Sequence, residues 1–189
     1  MNPVRAQIYS VLFVCTANSA RSIMAEGLLN CLGGPRFRAY SAGSHANGKV
    51  NPMALATLAH LRIACDGLRS KSWDEFAING AQELDFVFTV CDRAAGEVCP
   101  IWPGQPIAAH WGVPDPASVQ GSCDEQARAF MNTAVTLMRR IEAFLKLPLD
   151  ELSPLALQRQ LTETGRLHGA DVEPDVRPAT AWGLDSVQH

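Results

Sequence analysis

The feature that most constrains the fold of this chain is an apolar run that leads directly into a loop of small residues. The run covers residues 8–15 and ends at Cys15, and the loop closes with Arg21 and Ser22. Residues 23–29 then show helical apolar spacing, so the predicted order is strand, tight loop and helix. Backbone N–H groups in such a loop face one point, and the helix N-terminus adds positive potential. The residues predicted to bind an oxyanion there are Thr16, Ala17, Asn18, Ser19, Ala20, Arg21 and Ser22.

Cys15 stands at the entrance of this loop, where the positive potential is expected to lower its pKa and keep it a thiolate. The planar guanidinium of Arg21 can return over the loop as a bidentate clamp for a tetrahedral oxyanion. Asn18 tolerates an unusual backbone conformation, and the Ser22 hydroxyl can stabilise the thiolate. A cysteine that ends a core strand often serves packing alone. The flanking strand and helix, together with the polar loop residues, favour a functional site.

The composition argues against nucleic-acid-binding, membrane-spanning and secreted proteins. The chain has 189 residues, 47% of them hydrophobic, and a net charge of −3, so no basic excess indicates nucleic acid. No apolar run approaches the roughly 18 residues that a membrane span needs. The first residues lack the apolar segment of a signal peptide, so we expect a cytoplasmic protein. In a reducing compartment, six cysteines indicate catalysis, redox chemistry or metal binding rather than structural disulfides.

Strand, helix and turn patterns alternate along the chain. Strands are predicted at residues 8–15, 37–41, 85–91 and 107–111, and helices at 22–31, 51–63 and 120–147. This alternation predicts an α/β fold with an open four-stranded parallel sheet and helices on both faces. Residues 1–147 are expected to form the functional domain. Residues 148–189 are expected to be an extension with a short helix at 153–165, followed by a flexible tail.

Two further cysteines, Cys91 and Cys99, follow the third predicted strand. Parallel strands present their carboxyl ends at one sheet edge, so Cys91 and Cys15 are expected to be neighbours. An Ala-Ala-Gly segment before Cys99 could carry that residue inward. Three thiols at one edge suggest a relay in which one attacks, a second resolves and a third takes over the disulfide. Packing and metal binding are alternatives, but the spacing is not typical of zinc. The cysteines without a motif are Cys31, Cys65 and Cys123.

The segment after the fourth strand supplies a candidate acid. Prolines on both sides of Asp115 fix its backbone and direct its carboxyl, so it could protonate a leaving oxygen above the loop. The residues alone equally allow Asp115 to be a turn former before the long helix. His110 is a competing acid or base, although a histidine at a strand end is more often satisfied by neighbouring groups.

Taken together, these motifs resemble those of the low-molecular-weight protein tyrosine phosphatase family. The resemblance covers residues 8–147 and is carried by the motifs at 15–22, 40–43 and 111–116. Cys91, Cys99 and the His-Trp-Gly at 110–112 are similar to the arsenate reductase branch of that fold. The resemblance implies that Cys15 attacks arsenate, Arg21 holds its oxygens and Asp115 protonates the leaving hydroxyl. It also implies that Cys91 resolves the adduct and that Cys99 takes over the disulfide.

The resemblance also implies partners. They are arsenate, with phosphate or sulfate as competing oxyanions, and an external thiol reductant, either thioredoxin or glutaredoxin with glutathione. The spacing from Cys91 to Cys99 is one residue longer than in well-known thioredoxin-coupled members, so the electron donor stays open. Some relatives bind potassium beside the loop. The positions that could supply oxygen ligands here are Asn18, Glu26, Ser41 and Asp74.

This chain departs from the family pattern at two loop positions. Ala20 stands where phosphatases and some reductases have a second cysteine, and Ala17 stands where glycine is usual. If position 17 required a positive φ, alanine there would cost about 1 kcal/mol.

Three functions compete on this evidence: arsenate reduction, phosphomonoester hydrolysis and oxyanion binding without catalysis. The first explains Cys91 and Cys99, whereas the second requires only Cys15, Arg21 and Asp115. Phosphatases also place aromatic residues after Asp-Pro, while Ala-Ser-Val follows here at 117–119. Mere binding would need neither an activated thiol nor an acid. The sequence therefore favours an arsenate reductase over a phosphatase or an oxyanion-binding protein.

Overall fold

A four-stranded parallel sheet forms the centre of the structure, a computed structural model that describes residues 7–78, 80–97 and 100–168. The strands are β1 (Tyr9–Cys15), β2 (Phe37–Gly43), β3 (Phe86–Thr89) and β4 (Ile107–His110), in the order β2-β1-β3-β4. Every neighbouring pair is parallel. The predicted α/β fold with an open parallel sheet is confirmed.

Strand β1 lies at the centre of the sheet and is buried along its whole length. It pairs with β2 on one side and with β3 on the other, which explains why its sequence is almost continuously apolar rather than alternating. The register places Cys15 opposite Gly43, and Val14 opposite Thr89. The carboxyl ends of three strands therefore meet at one edge of the sheet.

Five α-helices accompany the strands in the described residues: α1 (Arg21–Leu32), α2 (Pro52–His60), α3 (Asp92–Ala95), α4 (Cys123–Leu145) and α5 (Pro154–Thr164). The starts of α2, α4 and α5 follow from the sequence. Asn51, Ser122 and Ser153 are their N-cap residues, and each side chain accepts a backbone N–H bond. Ser122 also forms a capping box with Glu125. In the described part of the chain, no helix combines the length and apolarity needed to cross a membrane.

Several boundaries differ from the sequence predictions for local physical reasons. Helix α2 ends at His60 rather than residue 63, since Arg62 has a φ of 60° and cannot continue a right-handed helix. Strand β3 ends at Thr89 because Cys91 leaves the ladder to cap α3. The Ala-Ala of the segment that precedes Cys99 belongs to this single helical turn.

Trp111, directly after β4, is the largest fully buried side chain of the described core. Its ring stacks on Phe88 with centroids 4.0 Å apart and meets Phe144 of α4 edge-on. Its indole N–H donates to the carbonyl of Leu161 at 3.0 Å. Trp111 therefore joins the sheet to α4 and to the C-terminal helix α5.

Helix α5 confirms the helix predicted at 153–165 and packs firmly against the sheet. Leu157 and Leu161 are buried, and the α-carbon of Gly165 lies so close to β4 that a Cβ would be 2.4 Å from the carbonyl oxygen of His110. The division of the chain at residue 147 stays a prediction, and the predicted tail at 169–189 lies outside the described residues.

The packing of α5 predicts a specific stability effect. Leu161→Ala removes a fully buried side chain and should lower the free energy of unfolding by about 3 kcal/mol. The exposed neighbour on the same helix provides the control, since Arg159→Ala should change it by less than about 0.5 kcal/mol. Urea unfolding monitored by tryptophan fluorescence measures both. Equal stability of the two variants would mean that α5 does not belong to the cooperative core.

Candidate active site

The loop between β1 and α1 is held close against the end of β2. A Cβ on Gly43 would be 2.5 Å from the carbonyl oxygen of Thr16 and 3.0 Å from Asn18, so only glycine allows this approach. Asn18 has a φ of 47°, as its side-chain type permits. Ala17 is not among the described residues with positive φ, so the alanine at this position carries none of the strain considered above.

Asn18 is buried and connects the loop to three neighbouring segments. Its amide N–H groups donate to the hydroxyl oxygens of Ser22 and Ser41, each at 2.9 Å. Its carbonyl oxygen accepts the backbone N–H of Lys71 at 2.7 Å. Because its amide is engaged on both sides, Asn18 fixes the loop to the start of α1, to β2 and to the segment before Trp73.

Cys15 lies beneath the loop, with its side chain surrounded by donors. Its Sγ atom is 2.9 Å from the Ser22 hydroxyl and accepts the backbone N–H of Asn18 at 3.2 Å. Burial is the dominant influence and raises the pKa of the Cys15 thiol, whereas the contacts with Ser22 and Asn18 lower that pKa, and nearby Cys91 raises it. The expectation of a lowered pKa is therefore wrong for the loop as it stands here, because desolvation outweighs the hydrogen bonds.

Arg21 and Asp115 lie together although 94 positions separate them in the chain. Arg21 Nη2 is 2.9 Å from Asp115 Oδ2, and Nη1 donates to the carbonyl of Val113 at 3.3 Å. The other carboxylate oxygen of Asp115 accepts the backbone N–H of Ala117 at 3.1 Å. One oxygen of Asp115 thus caps a turn while the other faces the arginine of the loop, and its role as the acid stays a prediction.

Cys91 lies at the carboxyl edge of the sheet next to the loop. Its Sγ atom is 3.6 Å from the hydroxyl of Thr16, the residue that follows Cys15. The same sulfur accepts the backbone N–H of Ala94 at 3.4 Å and so caps α3. The predicted neighbourhood of Cys15 and Cys91 is thus present, and both side chains are buried.

Known proteins of similar sequence agree with the strand, loop and helix arrangement of this site. Residues 10–154 match the family described as Low molecular weight phosphotyrosine protein phosphatase. The chain belongs to this family. It is 36% identical over 134 residues to an arsenate reductase of Halalkalibacterium halodurans, covering 71% of this chain and 93% of that protein.

Solved structures show the same relationship. An arsenate reductase in the phosphate binding state is 27% identical, with a TM-score of 0.60 over 73% of this chain and 97% of its own. A low-molecular-weight protein tyrosine phosphatase from T. tengcongensis is 26% identical, with a TM-score of 0.55 over 71% and 95% of the two chains. Proteins named arsenate reductase and proteins named tyrosine phosphatase therefore share this fold.

The remaining cysteines differ in their surroundings. Cys31 and Cys123 are exposed, and Cys65 is partly buried, which raises the pKa of its thiol. Cys99, predicted to be the third thiol of the relay, lies outside the described residues. Its role stays a prediction from the family pattern.

The four predicted potassium ligands do not form one oxygen cage in this structure. Asn18, Ser41 and Glu26 are connected, since the Ser41 hydroxyl donates to a Glu26 carboxylate oxygen. Asp74 is exposed and accepts from the hydroxyl of Ser72 instead. A cationic side chain already faces Glu26, because Lys71 Nζ lies 3.5 Å from Glu26 Oε2. These residues do not fit a potassium ion.

Lys71 was not identified by the sequence reasoning. It follows a polar loop and carries no periodic signal that would indicate burial, yet its side chain is only 6% exposed. Burial lowers the pKa of Lys71 and raises that of Glu26, while the attraction between the two groups opposes both shifts. Lys71 and Glu26 thus form a buried pair beneath the loop whose opposite charges compensate each other. In the described ranges, no group of three or more histidine, cysteine or carboxylate side chains could hold a metal ion.

The contacts of Cys15 predict the effect of removing the Ser22 hydroxyl. Because burial raises the pKa of Cys15, its alkylation rate should rise with pH through the alkaline range. Ser22→Ala removes a contact that lowers this pKa, so the rise should move to higher pH and the rate at pH 7 should fall about fivefold.

Iodoacetamide labelling of Cys15 between pH 6 and pH 10 measures this profile. Ser44→Ala is the control, because the Ser44 hydroxyl contacts His45 rather than the thiol. An unchanged profile for Ser22→Ala would show that this hydroxyl does not stabilise the thiolate.

Proposed function

We propose that this protein reduces arsenate to arsenite with Cys15 as the nucleophile and Cys91 as the resolving thiol. The observation that carries this proposal is the placement of Cys91 Sγ 3.6 Å from the Thr16 hydroxyl, at the edge of the loop that surrounds Cys15. Phosphomonoester hydrolysis would use Cys15, Arg21 and Asp115, and Cys91 would have no role in that reaction. Similarity to proteins named arsenate reductase supports the same choice.

In the first step the loop holds the arsenate oxygens and Cys15 attacks arsenic as a thiolate. Contacts from Ser22 and the Asn18 amide favour that thiolate against the effect of burial. The S–As bond forms and one As–O bond breaks, while Asp115 gives its proton to the leaving oxygen, which departs as water. Arsenic stays pentavalent in this step. Arg21 compensates the negative charge of the oxyanion from the rim of the loop.

In the second step the Cys91 thiolate attacks Cys15 Sγ. The S–S bond forms and the S–As bond breaks, so two electrons pass to arsenic, which leaves as trivalent arsenite. The two thiols are thereby oxidised to a disulfide. The third thiol, Cys99 in the predicted relay, then attacks Cys91 and frees Cys15.

An external thiol reductant must return two electrons to close the cycle. Thioredoxin, or glutaredoxin with glutathione, has the required chemistry in the cytoplasm, where we expect this protein to act. The system that sustains arsenite release over many turnovers would be identified as the electron donor of this protein.

The relay predicts a specific pattern of thiol loss. In a single turnover with arsenate and no reductant, the parent should release one arsenite and lose two thiols. Cys91→Ala should release none, because nothing displaces the adduct from Cys15, and Cys15→Ser should not react at all. The exposed Cys31 offers the control, since Cys31→Ala should behave as the parent.

Arsenite release is measured by chromatography with arsenic detection, and thiols are counted with a chromogenic disulfide reagent. Equal arsenite release by Cys91→Ala and the parent would refute the relay. Hydrolysis of p-nitrophenyl phosphate without any arsenite would instead make this protein a phosphatase.

The proposed acid predicts a second rate effect. Asp115→Asn keeps an oxygen that can cap the turn through Ala117 but removes the proton that the leaving oxygen needs. The first chemical step should therefore slow by about 10²-fold. Asp124→Asn, an exposed change in the first turn of α4, should leave the rate unchanged. Rapid-quench measurement of adduct formation compares the two, and an unchanged rate for Asp115→Asn would leave Asp115 with its structural role alone.

A further inference from the structure

We propose that His110 is a positioning residue for Cys91, whose role as the resolving thiol rests on the function proposed above. The imidazole lies at the end of β4 and contacts the chain on both sides of Cys91. Nδ1 is 2.9 Å from the hydroxyl of Thr89, two residues before Cys91, and Nε2 is 2.9 Å from Oδ1 of Asp92, one residue after it. The ring therefore brackets the backbone that carries the sulfur.

The donors and acceptors of this bracket are complementary. The Asp92 carboxylate can only accept, so Nε2–H is the donor towards it. The Thr89 hydroxyl, which can donate or accept, pairs with Nδ1. Both nitrogens are thus engaged, which explains why His110 is a poor candidate for the acid of the first step.

His110 can fix Cys91 because its own backbone is firmly held. The next residue, Trp111, donates its backbone N–H to the carbonyl of Thr89 at 2.7 Å. The buried Arg140 guanidinium donates to the carbonyls of Trp111 and Gly112 at 2.7 and 3.2 Å. On the other side, Gly165 packs directly against the His110 carbonyl. The backbone of His110 is therefore firmly held, and the imidazole reaches Thr89 and Asp92 from a fixed point of the fold.

Gly112 gives independent evidence that the His110–Asp92 contact shapes this region. A Cβ at position 112 would be 2.5 Å from His110 Nε2 and 2.6 Å from Asp92 Oδ1. Any larger residue would have to push the two side chains away. Glycine at this position thus makes room for the bracket.

The segment that carries Cys91 needs such support. Helix α3 is a single turn, Asp92–Ala95, and so short a helix is not stable by itself. Its anchors include the buried side chain of Ala94, the Cys91 cap on the Ala94 N–H and the bond from His110 to Asp92. Holding Cys91 Sγ near the loop raises the chance that it meets the Cys15 sulfur in a reactive geometry.

The bracket is also weak enough to open. The side chains of His110 and Asp92 are 44% and 95% exposed, and exposed pairs of this kind contribute little binding energy. Cys91 must exchange partners during the proposed relay, so its segment has to move after the first disulfide has formed. A solvent-exposed pair can hold the segment before the attack and release it afterwards.

The first test measures the position of Cys91 without any arsenate. In a Cys15→Ser background, buried Cys91 should react slowly with iodoacetamide, as followed by peptide mass spectrometry. His110→Ala, Asp92→Ala and Gly112→Ala should each raise that rate about fivefold or more. The adjacent exposed residue of α3 provides the control, because Arg93→Ala should leave the rate unchanged. His110→Gln can restore the donor towards Asp92 and should lie between the parent and His110→Ala.

The second test uses a single turnover with saturating arsenate in proteins that retain Cys15. His110→Ala and Asp92→Ala should slow arsenite release about fivefold, while the arsenate concentration for half-maximal rate stays unchanged. Arg93→Ala should match the parent. If no variant or parent releases arsenite, the proposed function fails, but the alkylation test still decides whether His110 holds Cys91. Unchanged Cys91 labelling in His110→Ala, or equal effects of Asp92→Ala and Arg93→Ala, would overturn the proposal.

Discussion

The pairing of β1 between β2 and β3 is the constraint on which the rest of this structure depends. The parallel register sets Cys15 opposite Gly43 and brings the ends of β1 and β3 to the same edge. Because Gly43 lacks a side chain, the loop after Cys15 can lie directly against β2. Helix α1 begins where the loop ends, and no side chain caps it, since alanine occupies its N-cap position. The N-terminus of α1 therefore keeps N–H groups without a side-chain cap, and within the loop the Asn18 amide donates to Cys15 Sγ.

Beneath the loop, buried polar groups satisfy one another and fix its shape. Asn18 binds Ser22 and Ser41, while Glu26 accepts from Ser41 and faces the ammonium of Lys71. A buried network of this kind is costly unless every member has a partner, so it favours a single loop conformation. The same burial raises the pKa of Cys15. In the proposed mechanism, reactivity therefore depends on donors that favour the thiolate, and Arg21 compensates the charge of the oxyanion from the rim.

The segment from His110, the last residue of β4, to Asp115 connects the two halves of the proposed chemistry. From one short stretch, His110 contacts the residues around Cys91, Trp111 fills the core against Phe88, and Asp115 meets Arg21. Helix α4 holds this stretch through Arg140, and α5 covers it through Leu161 and Gly165. The family match ends at residue 154, where α5 begins, so this helix supports the site from beyond the matched region.

The sequence by itself determined the strand, loop and helix around Cys15, the parallel α/β sheet and the residues of the two thiol positions. These follow from local rules: apolar runs, cap residues and turn residues act over a few positions and are visible in the chain. Tertiary structure alone decided the pKa of Cys15, the ion pair of Arg21 with Asp115, the burial of Lys71 and the bracket that His110 forms around Cys91. Each of these depends on groups tens of residues apart, whose distance and exposure to water are fixed only when the sheet closes. Electrostatic energies vary steeply with both quantities, which is why the motif alone could not indicate the direction of the pKa shift of Cys15.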